Sequence, residues 1–299
     1  MPPPAPAPLR VLTLSSLFPS TAKPFFGLFV ARQTQALAAL PNTDVHVVAP
    51  IGLAPWPMSL APDYRPMSKL APAETWAGLK VWRPRFRHWP GRDGRFDVTA
   101  LVKTLTPLLE QIRQDFPFDV IDAQYFFPDG PAALALGKHF DVPVSIKARG
   151  ADIHYWGHRP VPGRAICMAG QAADGLLAVS AALKADMVQL GLPEDRIKVH
   201  YTGVDLALFR PQDRAQAKAH LGISGPLIAS LGALIPRKQQ ALLLEALTAV
   251  PDVQLALIGD GPDHARLKAL AQRWGVSGRV IWTGARPPPM LLYGWLRQT

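Results

Sequence analysis

The 299-residue chain is 48% hydrophobic and 18% charged, a globular composition able to bury a core, and its length suggests two domains. Its one cysteine, Cys167, rules out an internal disulfide framework and argues against a structural zinc site. The net charge of +10 admits nucleic acid, an anionic membrane surface or phosphorylated ligands as partners. That charge is scattered, with no Lys/Arg run of nucleic-acid type, which favours phosphorylated ligands and lipid.

Met1 to Pro8 is a Pro-Ala tail expected to be disordered. It has no basic start followed by an apolar run, so it does not read as a signal peptide. Val11 to Ser15 predicts the first strand. Phe18 to Phe29 then opens into a helix expected to bury Val30, Ala36, Leu37 and Leu40. Gly27 lies in that strand-to-helix loop, where an open α/β sheet meets its ligand. Val45 to Ala49 predicts a second strand, and the Pro- and Met-rich stretch from Pro50 to Trp76 a long surface loop. Its most apolar part is broken by Pro55, Pro57 and Pro62, so nothing approaches a membrane span.

Lys80 to His88 alternates, with Val81, Arg83, Arg85 and Arg87 on one face and Trp82, Pro84 and Phe86 on the other. It can be read as a basic surface for a lipid pyrophosphate or anionic headgroups, or as an edge strand with a solvated charged face; the second is favoured. Val98 to Phe116 predicts an amphipathic helix and Phe118 to Ala123 a strand. Asp129 and Gly130 form the turn into a helix ending near Phe140, and Val142 to Ala148 is again a strand. Further on, Gly175 to Val179 is a strand and Ser180 caps the next helix. Such alternation with short loops is a doubly wound sheet.

Two places look chemical. Arg149 stands at the C-terminal end of a strand, followed by Gly150, Ala151 and Asp152, and so faces the ligand crevice of such a sheet. Arg149 stays protonated and cannot be a general base, whereas Asp152 also fits a helix N-cap. The second place is the βαβ unit from Pro226 to Pro262. Its first strand, Leu227 to Leu231, ends at Gly232. Its helix carries Leu242, Leu243, Leu247 and Val250, and Val253 to Ile258 is its second strand. Arg237 and Lys238 precede the helix, where backbone N–H groups already favour anions, so a diphosphate is the natural guest; solvated charges beside a tight turn fit the spacing equally well. His154 and His158 are four apart, but Gly157 and Pro160 disfavour a helix there and no third ligand is evident, so no metal is expected.

The spaced motifs resemble the retaining glycosyltransferases of family 4. Gly232, Leu234 and Lys238 match that family's Gly-Arg-Leu-x-x-x-Lys-Gly loop, and Ile258, Gly259, Gly261 and Pro262 its Ile-x-Gly-x-Gly-Pro. Ala233 replaces the loop's Arg, a trait of an exopolysaccharide-type subgroup, and Gln239 replaces its last Gly. Pro24, Gly27 and Phe29 match P-x-x-G-x-F, and Arg149 to Asp152 stand where the family has His-Gly-Thr-Asp. Ile197, Val199, Gly203, Val204, Asp205 and Phe209 match the segment between the family's two domains, with Tyr201 and Thr202 as departures.

The resemblance implies a GT-B architecture of two Rossmann-like domains, at residues 9–205 and 206–299. It implies transfer of a sugar from a nucleotide-sugar donor to a polysaccharide or lipid-linked acceptor, with retention of configuration. Gly232, Arg237, Lys238, Gly259 and Gly261 would hold the donor. Gly27, Asp129 and Gly130 would lie on the acceptor side, and Arg149 and Asp152 beside the reacting sugar. No metal and no cofactor beyond the donor is implied. The expected location is the cytoplasm, with peripheral contact to the inner face of the membrane left open. Residues 1–299 contain no counterpart of the family's Glu-rich segment E-G-x-x-N-x-x-x-E-A. The expectation is therefore a second domain cut short, its third strand exposed or poorly paired and turnover impaired. The alternative is a non-catalytic remnant that binds an acceptor or a partner.

Overall fold

The computed structural model describes residues 7–284, apart from 63, 208, 210, 212, 221 and 222. Packing divides the chain into two units between Gly203 and Val204.

The first unit starts with β1 (Leu9–Leu14), α1 (Leu28–Ala38), β2 (Thr43–Val48), β3 (Ile51–Leu53) and the short α2 (Arg65–Ser68). It continues through β4 (Ala73–Trp76), β5 (Leu79–Trp82), β6 (Arg85–Arg87), α3 (Asp97–Asp115), β7 (Val120–Ala123) and α4 (Asp129–Phe140). β8 (Val144–Ala148), α5 (Pro160–Ala172), β9 (Gly175–Ala178), α6 (Ala181–Gln189) and β10 (Ile197–Val199) complete it. The sheet order is β10-β9-β8-β7-β1-β2-β5-β4, parallel except for β4 at one edge. From β1 the chain winds one way to β2 and later the other way to β7. The β1/β7 junction is therefore the switch point, and its crevice opens beyond the C-terminal strand ends.

Burial on both faces accounts for an apolar strand such as β9, whereas β7 and β8 also carry Asp122, Ser145 and Lys147. Leu12, Leu14, Ile121 and Ile146 join Leu101, Leu105, Leu109 and Ile112 of α3 in the main core. The i, i+4 and i, i+3 spacing of those four α3 residues gives the helix its buried stripe. Val47 and Val81 pack with Val30 and Ala31 of α1 in a smaller core. The Ser180 hydroxyl accepts from the Leu183 N–H at 3.0 Å, the expected N-cap of α6.

The second unit holds α7 (Arg214–His220), β11 (Leu227–Leu231), α8 (Gln240–Ala249), β12 (Gln254–Ile258), α9 (His264–Arg273) and β13 (Val280–Gly284). Its described strands form a parallel sheet in the order β11-β12-β13. Leu244, Leu247, Leu255, Leu257 and Leu267 fill one side and Ile223, Leu227, Ala256 and Ile258 the other.

Several expectations need correction. The stretch from Pro50 to Trp76 contains β3, α2 and β4, because its prolines fall between short elements or, as Pro66 does, in the first turn of α2, where a missing N–H costs nothing. Lys80 to His88 is no edge strand: β5 lies between β2 and β4, and Pro84 separates it from β6. The face carrying Val81 and Arg83 turns inward, where Arg83 bonds the Glu74 carboxylate and donates to the Pro19 carbonyl at 2.6 Å. Only Arg85 and Arg87 keep exposed positions. The buried face of α1 is Val30, Ala31 and Thr34, with Leu40 exposed beyond the helix end. In α8 the buried residues are Gln240, Leu244 and Leu247, while Leu242 is exposed. The third strand, β13, runs beside β12 from Val280 to Gly284 with one register shift and is an edge of the sheet among the described strands. Asp152 to Trp156 form one π-helical turn despite Gly157, and His154 is bonded to Asp186 at 2.8 Å.

Candidate functional site

The crevice of the first unit is lined by a buried polar network. Residues of β7 and β8 that share one sheet face are polar in succession: Asp122 and then Gln124 from β7, Ser145, Lys147 and then Arg149 from β8. Ser145 Oγ donates to Asp122 at 2.8 Å, and Gln124 Nε2 also bonds that carboxylate. Gln33 of α1 joins the cluster. Its Oε1 accepts from Lys147 Nζ at 2.9 Å and from Arg149 Nη2 at 3.2 Å. Lys147 Nζ also lies 2.6 Å from His200 Nδ1, just past β10.

Charge in this low-dielectric site shifts proton affinities. Burial, with Arg149 nearby, lowers Lys147 to about 8. Arg149 falls to about 10, again through burial, and so stays cationic at neutral pH. Burial raises Asp122, and His200 is lowered by burial and by the Lys147 and Arg149 charges.

Arg149 is held on three sides. Nε donates to the Gln124 carbonyl at 3.1 Å, Nη2 bonds Gln124 Oε1, and the guanidinium lies 5.3 Å from the Phe29 ring. Its buried Nη1 has no hydrogen-bond partner among the described residues. Asp152 is spent differently. Its carboxylate accepts from the N–H groups of Phe126 (2.9 Å), Arg149 (3.0 Å) and Gly150 (2.7 Å). It caps no helix by its side chain; it ties the ends of β7 and β8 together and shapes the loop that presents Arg149. Burial raises its pKa against those N–H bonds.

Asp129, the first residue of α4, is wholly buried. One oxygen accepts from Ser16 N at 2.7 Å and Ser16 Oγ at 3.1 Å, pinning the loop after β1, while Oδ1 has no partner among the described residues. Burial, with the Asp152 charge added, raises its pKa to about 7. At Gly130 a Cβ would meet Ile146 side-chain atoms at 3.1 Å. Gly27 has φ +68°, and a Cβ there would fall 2.4 Å from the Leu17 carbonyl, so the loop needs glycine on both counts.

In the second unit the glycines serve backbone packing. Gly232, at φ +146°, and Gly259, at φ +145°, sit face to face: a Cβ on Gly259 would lie 2.0 Å from the Gly232 oxygen. A Cβ on Gly261 would lie 2.3 Å from the Leu234 oxygen, and Leu234 N donates to the Asp260 carbonyl at 3.0 Å. The β11–α8 and β12–α9 loops therefore lie directly on each other. A single 3₁₀ turn, Pro236–Lys238, carries the two exposed cations. Lys238 folds back, so that its Nζ would stand 4.0 Å from a Cβ on Gly232. Gln239 takes the left-handed conformation at φ 53°, which explains why the resembled motif has glycine there. Buried Gln240 braces the loop by donating to the Ala233 carbonyl at 3.1 Å.

Gln33, Asp122, Gln124, Ser145, Lys147, His200 and Gln240 escaped the sequence reading. The signal available was polar alternation in strands that should be apolar on both faces. Among the described residues no three His, Cys, Asp or Glu side chains gather as a metal site. A cavity of about 630 Å³ opens at the opposite, N-terminal strand ends, lined by Lys138, Asp141 and Asp174 among others, away from these groups.

The fold is the GT-B fold of solved glycosyltransferases. The chain belongs to glycosyltransferase family 4, whose profile matches residues 27–208, and the profile of glycosyl transferases group 1 matches residues 212–293. It is 26% identical over 272 residues to the putative teichuronic acid biosynthesis glycosyltransferase TuaC of Bacillus subtilis, covering 87% of this chain and 67% of that protein. A GDP-mannose-dependent alpha-(1-6)-phosphatidylinositol monomannoside mannosyltransferase of Mycolicibacterium smegmatis is 31% identical over 139 residues, 44% of this chain and 36% of that one. Anabaena Alr3699/HepE, solved in complex with UDP, shares the fold with a TM-score of 0.66 at 20% identity, covering 95% of this chain and 71% of that chain.

Proposed function

We propose that the chain transfers a sugar, with retention of configuration, from a nucleoside-diphosphate donor to a polysaccharide or lipid-linked acceptor, using no metal or further cofactor. The observation that carries this reading is the second unit's loop pair, where glycine backbone and the Lys238 ammonium meet. Lys238, with exposed Arg237 beside it, would neutralise the diphosphate. Gly259 and Gly261 hold the loop in shape. That HepE was solved with UDP and a mannosyltransferase relative is GDP-mannose-dependent supports the donor class and leaves the base open.

On the acceptor side, Arg149 supplies a buried cation whose Nη1 has no partner among the described residues, suited to an anionic oxygen. It offers no base, and Asp152 has its oxygens occupied. In this reading the acceptor hydroxyl attacks the anomeric carbon on the face the phosphate leaves. The new C–O bond forms as the sugar–phosphate bond breaks, and the departing phosphate oxygen takes the hydroxyl proton. Gly27, Asp129 and Gly130 set the first-unit loops around this chemistry. The expected location is the cytoplasm, with contact to the membrane's inner face left open.

Because residues 1–299 hold no counterpart of the Glu-rich segment, nucleotide binding should be easier to detect than turnover. The test is calorimetric titration with UDP and GDP, followed by NMR of the anomer formed from whichever sugar nucleotide is consumed. Binding of neither nucleotide would sink the reading, and an inverted anomer would sink its retaining step.

A further inference from the structure

Three loops leave the C-terminal strand ends of the first unit side by side. The loop after β1 is tied to the sheet through Ser15 N to the Val48 carbonyl (3.0 Å) and Arg83 Nη2 to the Pro19 carbonyl (2.6 Å). β3 and β6 pair in parallel, and His88 N donates to the Leu53 carbonyl at 2.9 Å. The loops that follow them, 54–60 and 88–96, therefore emerge at one place.

All three loops expose large apolar side chains. The first presents Phe25 and Phe26, the second Trp56 (80% exposed) and Leu60 (64%), the third Trp89 and Phe96. Such a concentration on one edge is costly in water and marks an interaction surface. Its charge is one-sided. Lys23, Arg87, Arg92 and Arg95 are exposed among these aromatics. Loops 19–29 and 54–60 carry no acid. The third has only Asp93, which is paired with Arg159, while Asp97 just beyond it is paired with His88. Exposed Phe29 borders the surface and lies 5.3 Å from the Arg149 guanidinium, so this edge adjoins the acceptor-side crevice.

We propose that this edge is a docking surface for an anionic phospholipid bilayer. Trp56 and Leu60 enter the headgroup–acyl boundary, and Arg92 and Arg95 meet lipid phosphates. Aromatic rings suit that boundary because it is apolar on one side and wet on the other. Basic side chains are drawn to the negative surface potential. This deepens the reading of a lipid-linked acceptor and takes its biological sense from it, but its test needs no sugar transfer.

The full chain is co-sedimented with phosphatidylcholine vesicles, with and without about 30% phosphatidylglycerol, in the absence of nucleotide. Binding is expected to the anionic vesicles and to be weak on pure phosphatidylcholine. The double variant Arg92→Gln/Arg95→Gln should lower the partition coefficient about 30-fold, the combined effect of two surface cations. Trp56→Ser/Leu60→Ser should lower it roughly tenfold or more through lost apolar insertion. All four side chains are exposed, so both variants should keep the wild-type circular dichroism and melting temperature. Arg273→Gln, on exposed α9 of the second unit, should bind as wild type. Three results would overturn the proposal: no binding to anionic vesicles, equal binding to neutral ones, or a loss with Arg273→Gln matching that of the arginine pair. Vesicle binding without nucleotide binding would leave this surface standing while removing the transferase reading, and the reverse result would remove only the surface.

Discussion

The two units carry candidate sites built on opposite principles. In the first unit, the candidate site rests on buried side chains: Lys147, Arg149, Asp122 and Asp129 are ionisable groups taken out of water and held by Gln33, Gln124 and Ser16. In the second, it rests on backbone shape, with Gly232, Gly259 and Gly261 letting two loops stack and exposed Arg237 and Lys238 supplying charge. The difference teaches where each half is fragile. A buried network is sensitive to protonation and to loss of a partner, because burial raises the cost of any unmatched charge. A glycine-built loop is insensitive to pH but cannot accept a single methyl group.

The largest expected effect tests the second half. Gly259→Ala places a Cβ 2.0 Å from the Gly232 oxygen at a residue with φ +145°. It should destabilise the second unit by about 4 kcal/mol or more, combining backbone clash and strain. Gly130→Ala offers the contrast. Its Cβ meets only Ile146 side-chain atoms, at 3.1 Å, and should cost about 1–3 kcal/mol. Denaturant unfolding of both variants would erase the comparison if Gly259→Ala were the milder.

Asp129 tests the first half. Its folded pKa is raised from 3.8 to about 7, so between those values the folded state holds a proton that the unfolded state has lost. Stability from this group is complete below about pH 4 and is lost as pH rises through about 7. Asp129→Asn keeps an oxygen for the Ser16 N–H and removes the titration. Relative to wild type, the variant should gain on the order of 4 kcal/mol between about pH 4 and pH 8. A constant difference across that range would show that Asp129 is not held proton-rich.

The smallest effect concerns the turn before α8. Gln239 sits at φ 53°, where glycine pays no steric penalty. Gln239→Gly should stabilise the second unit by roughly 0.5–1 kcal/mol. Destabilisation of that size would mean that the glutamine side chain contributes contacts outweighing the backbone strain.

The same contrast explains what could be read from the chain. Parallel strands, the βαβ order and the glycine loops are local in sequence, since Gly232, Gly259 and Gly261 each satisfy a backbone demand that few other residues meet. The first unit's network joins α1, β7, β8 and the end of β10, from Gln33 to His200, so no local window contains it. Arg149 was visible because it stands at a strand end beside Gly150. Lys147, two residues earlier, was not, because a lysine in a predicted strand reads as a solvated position until the helix covering it is known. Arg83 misled for the same reason: its alternation with Val81 was correct, but that face turns inward.

The central claim is that Lys238 of the second unit holds the donor diphosphate while the first unit's network serves the acceptor side. Calorimetric titration of UDP and GDP into wild type, Lys238→Ala and Asp129→Asn tests it most directly. Lys238→Ala should weaken the bound nucleotide by about 1.5–3 kcal/mol, the worth of a charge-assisted hydrogen bond. Asp129→Asn should leave that affinity within about 0.5 kcal/mol of wild type, as expected of sites that act independently. Unchanged affinity in Lys238→Ala, with a wild type that binds, would contradict the account.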